Sequence, residues 1–250
     1  MSSAQKVIKY IAITFGIMLA LGIVTAIIEV IFAVSGGFAD FDDKTVDKSQ
    51  KYDYAIVENI KMDVRTGNIL VETGDTDEIE VRYNKNSIRV ELKNDTLRIE
   101  SKSFFSIGGS RAKVKIIIPR DMELTKLDIE LGVGEVSVDG VSCSTGRIDL
   151  GVGEITVKNS VMQDANLDLG IGDMEYAGDM INGRLDTGIG EVKIELAGNG
   201  QDYYIKADAG LGDEKINGKK FDEDDWKNLG ASKKVTADCG IGDVRVTVNE

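Results

Sequence analysis

The feature that most constrains this chain is a phrase it repeats. The stretch RIDLGVGEITV at residues 147–157 returns as LDIELGVGEVSV, NLDLGIGDMEY, RLDTGIGEVKI, KADAGLGDEKI and TADCGIGDVRV, so that Gly-x-Gly-acid begins at residues 132, 151, 170, 188, 210 and 240. The spacings are 19, 19, 18, 22 and 30 residues. Self-similarity at a period near twenty predicts stacked rungs instead of one site: an all-β fold in which a single stack of parallel strands winds as a β-solenoid, β-helix-like, with about 19 residues per repeat.

Aligning the copies sorts the side chains, because successive residues of a strand face opposite ways. Three before the first glycine stand Ile129, Ile148, Leu167, Leu185, Ala207 and Ala237; one before it stand Leu131, Leu150, Leu169, Thr187, Ala209 and Cys239. Both columns are expected to point inward. So are the residues between the glycines, Val133, Val152, Ile171, Ile189, Leu211 and Ile241, and, after the turn, Val136, Ile155, Met174, Val192 and Val244 followed by Val138, Val157, Tyr176, Ile194, Ile216 and Val246. Alternation then slips once, at the glycine–acid pair, as a corner or bulge requires. The glycines Gly132, Gly134, Gly151, Gly153, Gly170 and Gly172, with Gly188, Gly190, Gly210, Gly212, Gly240 and Gly242, are therefore read as structural turn residues. A phosphate loop would need a helix N-terminus after the glycines, whereas each copy here runs into another strand pattern.

Six corners in register align two outward acidic columns. The first is Glu130, Asp149, Asp168, Asp186, Asp208 and Asp238; the second is Glu135, Glu154, Asp173, Glu191, Asp213 and Asp243. Like charges on strands ~4.8 Å apart repel by roughly 0.9 kcal/mol per pair in water before salt screening. Three readings tolerate that cost. Solvation with local neutralisation is one, because Arg147, Arg184 and Lys206 lie two residues before the first column and Lys193, Lys215 and Arg245 lie two after the second. Calcium held between successive carboxylates is another, which makes all twelve acids metal candidates, although calcium-binding solenoid repeats are about half this length and richer in glycine. An acidic face meeting a cationic peptide, a basic wall polymer or another protein is the third.

The flanks of the array follow the same grammar. Residues 62–69, MDVRTGNI, match the phrase with Arg65 for the first glycine and Asn68 for the acid, and are read as a degenerate leading rung or cap. Around them IKMDVRTGNILVET, EIEVRYN, SIRVELK, TLRIES and KVKIIIP alternate as strands, with Pro119 closing the last. Residues 217–234 lengthen the final interval and carry Trp226, so they are read as an inserted loop whose tryptophan packs over an edge. Just before it, Glu214 occupies an otherwise apolar column, which predicts local distortion. The last rung, ending at Val248, is expected to leave an open strand edge able to self-associate. Cys143 and Cys239 fall in apolar columns five repeats apart, too far for a disulfide.

Residues 10–34 form an apolar run broken only by Glu29, long enough to span a bilayer. Lys6 and Lys9 precede it and Asp40, Asp42 and Asp43 follow it, which predicts a cytoplasmic N-terminus at residues 1–9, a transmembrane helix at 10–34, a linker at 35–51 and an extracytoplasmic domain from 52 to 250. A cleaved signal peptide is the competing reading, since residues 32–37 offer small side chains, but the run exceeds the usual apolar core of one. The chain has 250 residues, 42% of them hydrophobic, enough for a sizeable core. Its net charge of −13 lacks the basic footprint of nucleic-acid binding, and its lack of histidine removes the commonest general base and metal ligand. No catalytic or cofactor-binding residues suggest themselves: acids spread evenly over every rung are not a tuned acid–base pair, which argues against a polysaccharide-cleaving β-helix enzyme.

The sixfold corner, the earlier VRTGNI, the IIIP segment and the single N-terminal span together resemble the bacterial "putative adhesin" family of β-solenoid domains of unknown function, whose LiaG-like and YvlB-like members are membrane-anchored envelope proteins. The resemblance covers residues 56–248. It implies a non-enzymatic cell-surface adhesin or envelope scaffold, or alternatively an accessory regulator of the envelope-stress response acting through membrane partners, and it supplies no catalytic residues and no cofactor.

Overall fold

The structure is a computed structural model that describes residues 46–84, 88–101, 112–221 and 228–249, all within one compact unit. Alternation of β-branched and polar residues produces fourteen strands among the described residues. They are β1 (Lys48–Asp53), β2 (Asn59–Gly74), β3 (Glu78–Tyr83), β4 (Ile88–Lys93), β5 (Thr96–Ser101), β6 (Ala112–Pro119) and β7 (Glu123–Asp139). Then come β8 (Ser142–Ile189), which runs through several rungs without a break, β9 (Val192–Asn199), β10 (Tyr203–Leu211), β11 (Glu214–Ile216), β12 (Lys219–Lys220), β13 (Lys233–Ile241) and β14 (Val244–Asn249). All belong to one mixed, mostly parallel sheet. Residues 48–51, at the end of the expected linker, are paired in β1.

Rungs pair at the register the repeat predicts: Glu130 sits opposite Asp149, Val133 opposite Val152 and Val136 opposite Ile155. The leading fragment is a full rung, since Thr66 faces Val133, Gly67 faces Gly134 and Asn68 faces Glu135. It does not cap the array, because β2 also pairs in parallel with β5 and β6. The antiparallel pairs β3–β6, β1–β3 and β4–β5 finish that end.

Two expectations are corrected. First, the residues between the glycines do not face inward. Burial alternates through Ile148 and Leu150, then passes to Gly153, and resumes at Ile155 and Val157. At Gly134 and Gly153 the second glycine thus takes the inward place, and in every copy the residue before it is turned to the outside of the corner: Val133, Val152 and Ile171 are half-buried, while Ile189, Ile241 and Leu211 are exposed. The cause is close stacking. A Cβ on Gly153 would fall on the carbonyl oxygen of Gly134, and the same holds for Gly172 on Gly153; both have positive φ, 143° and 135°.

Second, the rungs do not stack in sequence order. β13 lies between β8 and β10, with Asp238 opposite both Asp186 and Asp208, and β14 lies between β9 and β11. The sixth copy is therefore inserted between the fourth and the fifth. The long intervals make this possible: the chain skips one rung's width on the way to β10 and returns between β12 and β13. Val248 is consequently not at an open edge. Its strand is flanked on both sides, and its own N–H donates to Asn217 Oδ1 at 2.9 Å; the outermost long strand is β10.

The core is the set of inward columns, including Ile129, Leu131, Ile148, Leu167 and the fully buried Tyr176. Each such aliphatic side chain contributes about 1.5–3 kcal/mol on burial. Cys143 and Cys239 are buried as free thiols, and burial pushes Cys143 up to about 12. Among the described residues no helix is long and apolar enough to cross a membrane; residues 10–34 and Trp226 lie outside them.

Candidate functional site

The outer face of the corners repeats in register from rung to rung. In spatial order the first acid column runs Glu130, Asp149, Asp168, Asp186, Asp238, Asp208, and pairing carries it back through Asp63 to Glu100. The second runs from Glu135 through Glu154, Asp173, Glu191 and Asp243 to Asp213. Between them stands the ridge of residues from the middle of each Gly-x-Gly.

The carboxylates are not alike. Some are neutralised as the sequence suggests: Arg184 Nε meets Asp186 at 2.6 Å, Arg147 meets Asp149 at 3.5 Å, Lys215 meets Asp213 at 2.9 Å and Arg245 meets Asp243 at 2.7 Å and also Glu191. Lys193 turns away from the column to Glu175 and Glu195, and with Lys158 it holds the Glu175 carboxyl below its usual range. Asp173 and Asp243 do a second job that their short side chains allow. Each accepts the backbone N–H of the acid in the next rung, Glu191 and Asp213 respectively, at 3.0 Å. Glu135 departs from the outward pattern: it is 3% exposed, covered by the leading rung, and accepts from Asn68 Nδ2 at 3.2 Å.

Lys61 meets Glu130 at 3.7 Å, whereas Glu154, Asp168, Asp208 and Asp238 have no ion-pair partner among the described residues. Glu154 accepts only from Thr156, and Asp168 only from Asn166. Burial, then the neighbouring Asp186 and Asp149, push the Asp168 carboxyl upward; burial and Asp186 do the same for Asp238. An open depression of about 220 Å³ lies among Glu154, Asp173, Met174, Glu175, Glu191 and Lys193. Among the described residues no group of three or more acids or cysteines is placed to hold one metal ion.

A polar cluster absent from the repeat grammar ties the reordered rungs together. Lys233 Nζ meets Asp179 Oδ1 at 2.6 Å and lies 5.0 Å from the Tyr203 ring, whose hydroxyl is 2.8 Å from the same carboxylate and 2.6 Å from Ala197 O. Tyr176 donates to Asp179 O at 2.7 Å. Burial works to raise Asp179, but the Lys233 and Tyr203 bonds hold it below its usual range. Glu214, expected to distort its rung, instead accepts the Ala209 N–H of the outermost strand at 2.9 Å.

A family model described as Toastrack DUF4097 matches residues 57–178 and, again, residues 120–247. The chain belongs to the toastrack family. The two overlapping matches place the family pattern on the leading strands and on the Gly-x-Gly rungs alike. Among solved structures, this toastrack chain is similar to a "putative cell adhesion protein" from Clostridium sporogenes, with 17% identity, 80% of this chain and 98% of that one covered, and a TM-score of 0.44. It is also similar to a "putative adhesin" from Bacteroides fragilis, with 14% identity, coverage of 81% and 98%, and a TM-score of 0.33. No curated protein matches it. The family description names no activity.

Proposed function

We propose that this toastrack protein is a non-enzymatic cell-surface adhesin or envelope scaffold. In this reading residues 10–34 anchor it as a single transmembrane helix with the N-terminus cytoplasmic, and the rungs wind as a β-solenoid outside the membrane. The observation that carries the reading is the continuity of the outward columns, in register from Glu130 to Asp208 across consecutive rungs. Chemistry distributed along a stack suits recognition over an extended face, whereas catalysis gathers a few tuned groups at one place.

Protease treatment of intact cells, followed by alkaline washing of their membranes, tests it. The rungs should be cleaved or labelled from outside while the anchored fragment stays with the membrane. Protection of the rungs in intact cells, or release of the whole chain by the wash, would refute the proposal.

A further inference from the structure

The ridge between the acid columns offers more than a stack needs. Ile189, Ile241 and Leu211 are 40%, 50% and 70% exposed. Single exposed aliphatic residues are ordinary. Here neighbours in register stand ~4.8 Å apart, so the six members from Val133 to Leu211 make one apolar strip about 24 Å long. Carboxylates without ion-pair partners flank it, Asp168, Asp238 and Asp208 on one side and Glu154 and Asp173 on the other.

We propose that this strip docks a cationic amphipathic α-helix of a partner protein or peptide, its apolar seam on the ridge and its lysines or arginines on the two acid columns. Charge selects the class: nucleic acid and anionic lipid surfaces are repelled, and a second copy of this chain, with a net charge of −13, brings the same acids. Spacing selects the conformation. One helical turn advances about 5.4 Å, within ~0.6 Å of the rung spacing, whereas same-face residues of an extended strand recur about every 6.8 Å and fall out of step within a few rungs. At about 1.5 Å per residue the ridge spans roughly 16 helical residues. A narrow seam with basic residues on either side is the pattern that coiled-coil surfaces use to combine apolar contact with flanking ion pairs. The depression beside Glu154 and Asp173 leaves room for the end of one such basic side chain.

The inference deepens the display reading, on which it rests for the partner's lying outside the cell. Its test is independent of location. The full chain in zwitterionic nanodiscs is titrated into a labelled peptide of about 18 residues with leucines in one heptad seam and lysines beside it, at about 0.15 M salt, with fluorescence anisotropy and circular dichroism as readouts. Empty nanodiscs serve as the blank. The peptide should become helical on binding, and a peptide of the same composition with a scrambled seam should bind about tenfold more weakly. Leu211→Ser with Ile241→Ser, and separately Glu154→Gln with Asp208→Asn, should each weaken binding about fivefold or more without moving the unfolding midpoint. Leu211→Arg, at the most exposed position, gives the same answer should the double ridge variant fold poorly. Equal binding of the scrambled peptide, binding without helix formation, or unchanged affinity of the ridge variants would overturn the proposal. Failure here leaves the protease exposure of the rungs untouched, and failure there leaves peptide binding intact.

Discussion

Replacing Gly153 with alanine probes the contact that sets the rung spacing. The residue has φ of +143°, and its new Cβ would meet the Gly134 carbonyl, which is backbone and cannot yield without dragging β7. The disfavoured backbone conformation and the steric overlap each cost about 1–3 kcal/mol, so the sum is about 2–6 kcal/mol. Gly218 separates the two effects, because it too has positive φ, +74°, but nothing lies within 4 Å of its Cβ position. Alanine there should cost only about 1 kcal/mol. At roughly 2–4 °C per kcal/mol for a domain of this size, Gly153→Ala should lower the thermal midpoint by about 10 °C and Gly218→Ala by about 3 °C. Stacked rungs open locally, so hydrogen exchange around Gly134 and Gly172 should show the larger loss, with the antiparallel strands β1 and β3 little changed. Equal midpoints for the two variants would refute the idea that backbone approach, and not the turn's dihedral angles alone, demands glycine at the corner.

Three further outcomes are expected. Truncation before Lys233 removes the partner of β10 and should leave residues 203–216 open to limited proteolysis while the rungs up to Leu196 stay protected; a protected β10 would show that β13 is not what holds it in place. Tyr203→Phe deletes a hydroxyl that bonds to Asp179 and Ala197 and should cost about 1–2 kcal/mol in chemical denaturation, with faster exchange in β10; no loss would show that the cluster does not hold the outer rung. Because the folded Asp168 carboxyl is raised, the folded chain holds more protons than the unfolded one between the ordinary aspartate pKa and the raised value, so this group makes stability fall as pH rises through that window. Asp168→Asn should therefore raise the unfolding midpoint at pH 7 and lose that advantage below the ordinary aspartate range; a gain independent of pH would contradict this.

The repeated portion of the fold was legible because its columns obey strand alternation six times over, and Ile148, Leu167 and Val157 face the core as that pattern requires. The ridge misled the same logic. An apolar residue between two glycines looks inward by composition, yet Gly153 holds the inward place because only a residue without a Cβ fits against Gly134. The order of the last rungs was illegible for a different reason: the fourth, fifth and sixth copies carry the same phrase, so any of them can pair with any other in the correct register. Intervals of 22 and 30 residues were the trace of the exchange, and they read equally well as a loop. What decides between the two is a set of residues present once, Asp179, Lys233 and Tyr203, which no repeat alignment weights.

That distinction bears on the acid columns. Stacking so many carboxylates costs roughly 0.9 kcal/mol per neighbouring pair in water, and the structure offsets part of it locally. Lys61, Arg147, Arg184, Lys215 and Arg245 answer six of the acids, and Asp173 and Asp243 cap the next corner's backbone. Neither account reaches Glu154, Asp168, Asp208 or Asp238, and for Asp168 and Asp238 burial and neighbouring charge make the ionised form harder to hold. Asparagine or threonine would serve a solvated strand as well, as Asn166 and Thr236 do one column away. These carboxylates, without a direct ion pair among the described residues, lie along the same strip as the exposed Ile189, Ile241 and Leu211. Both kinds of cost, unpaired charge and wetted aliphatic surface, would be relieved together by one cationic, apolar-seamed partner.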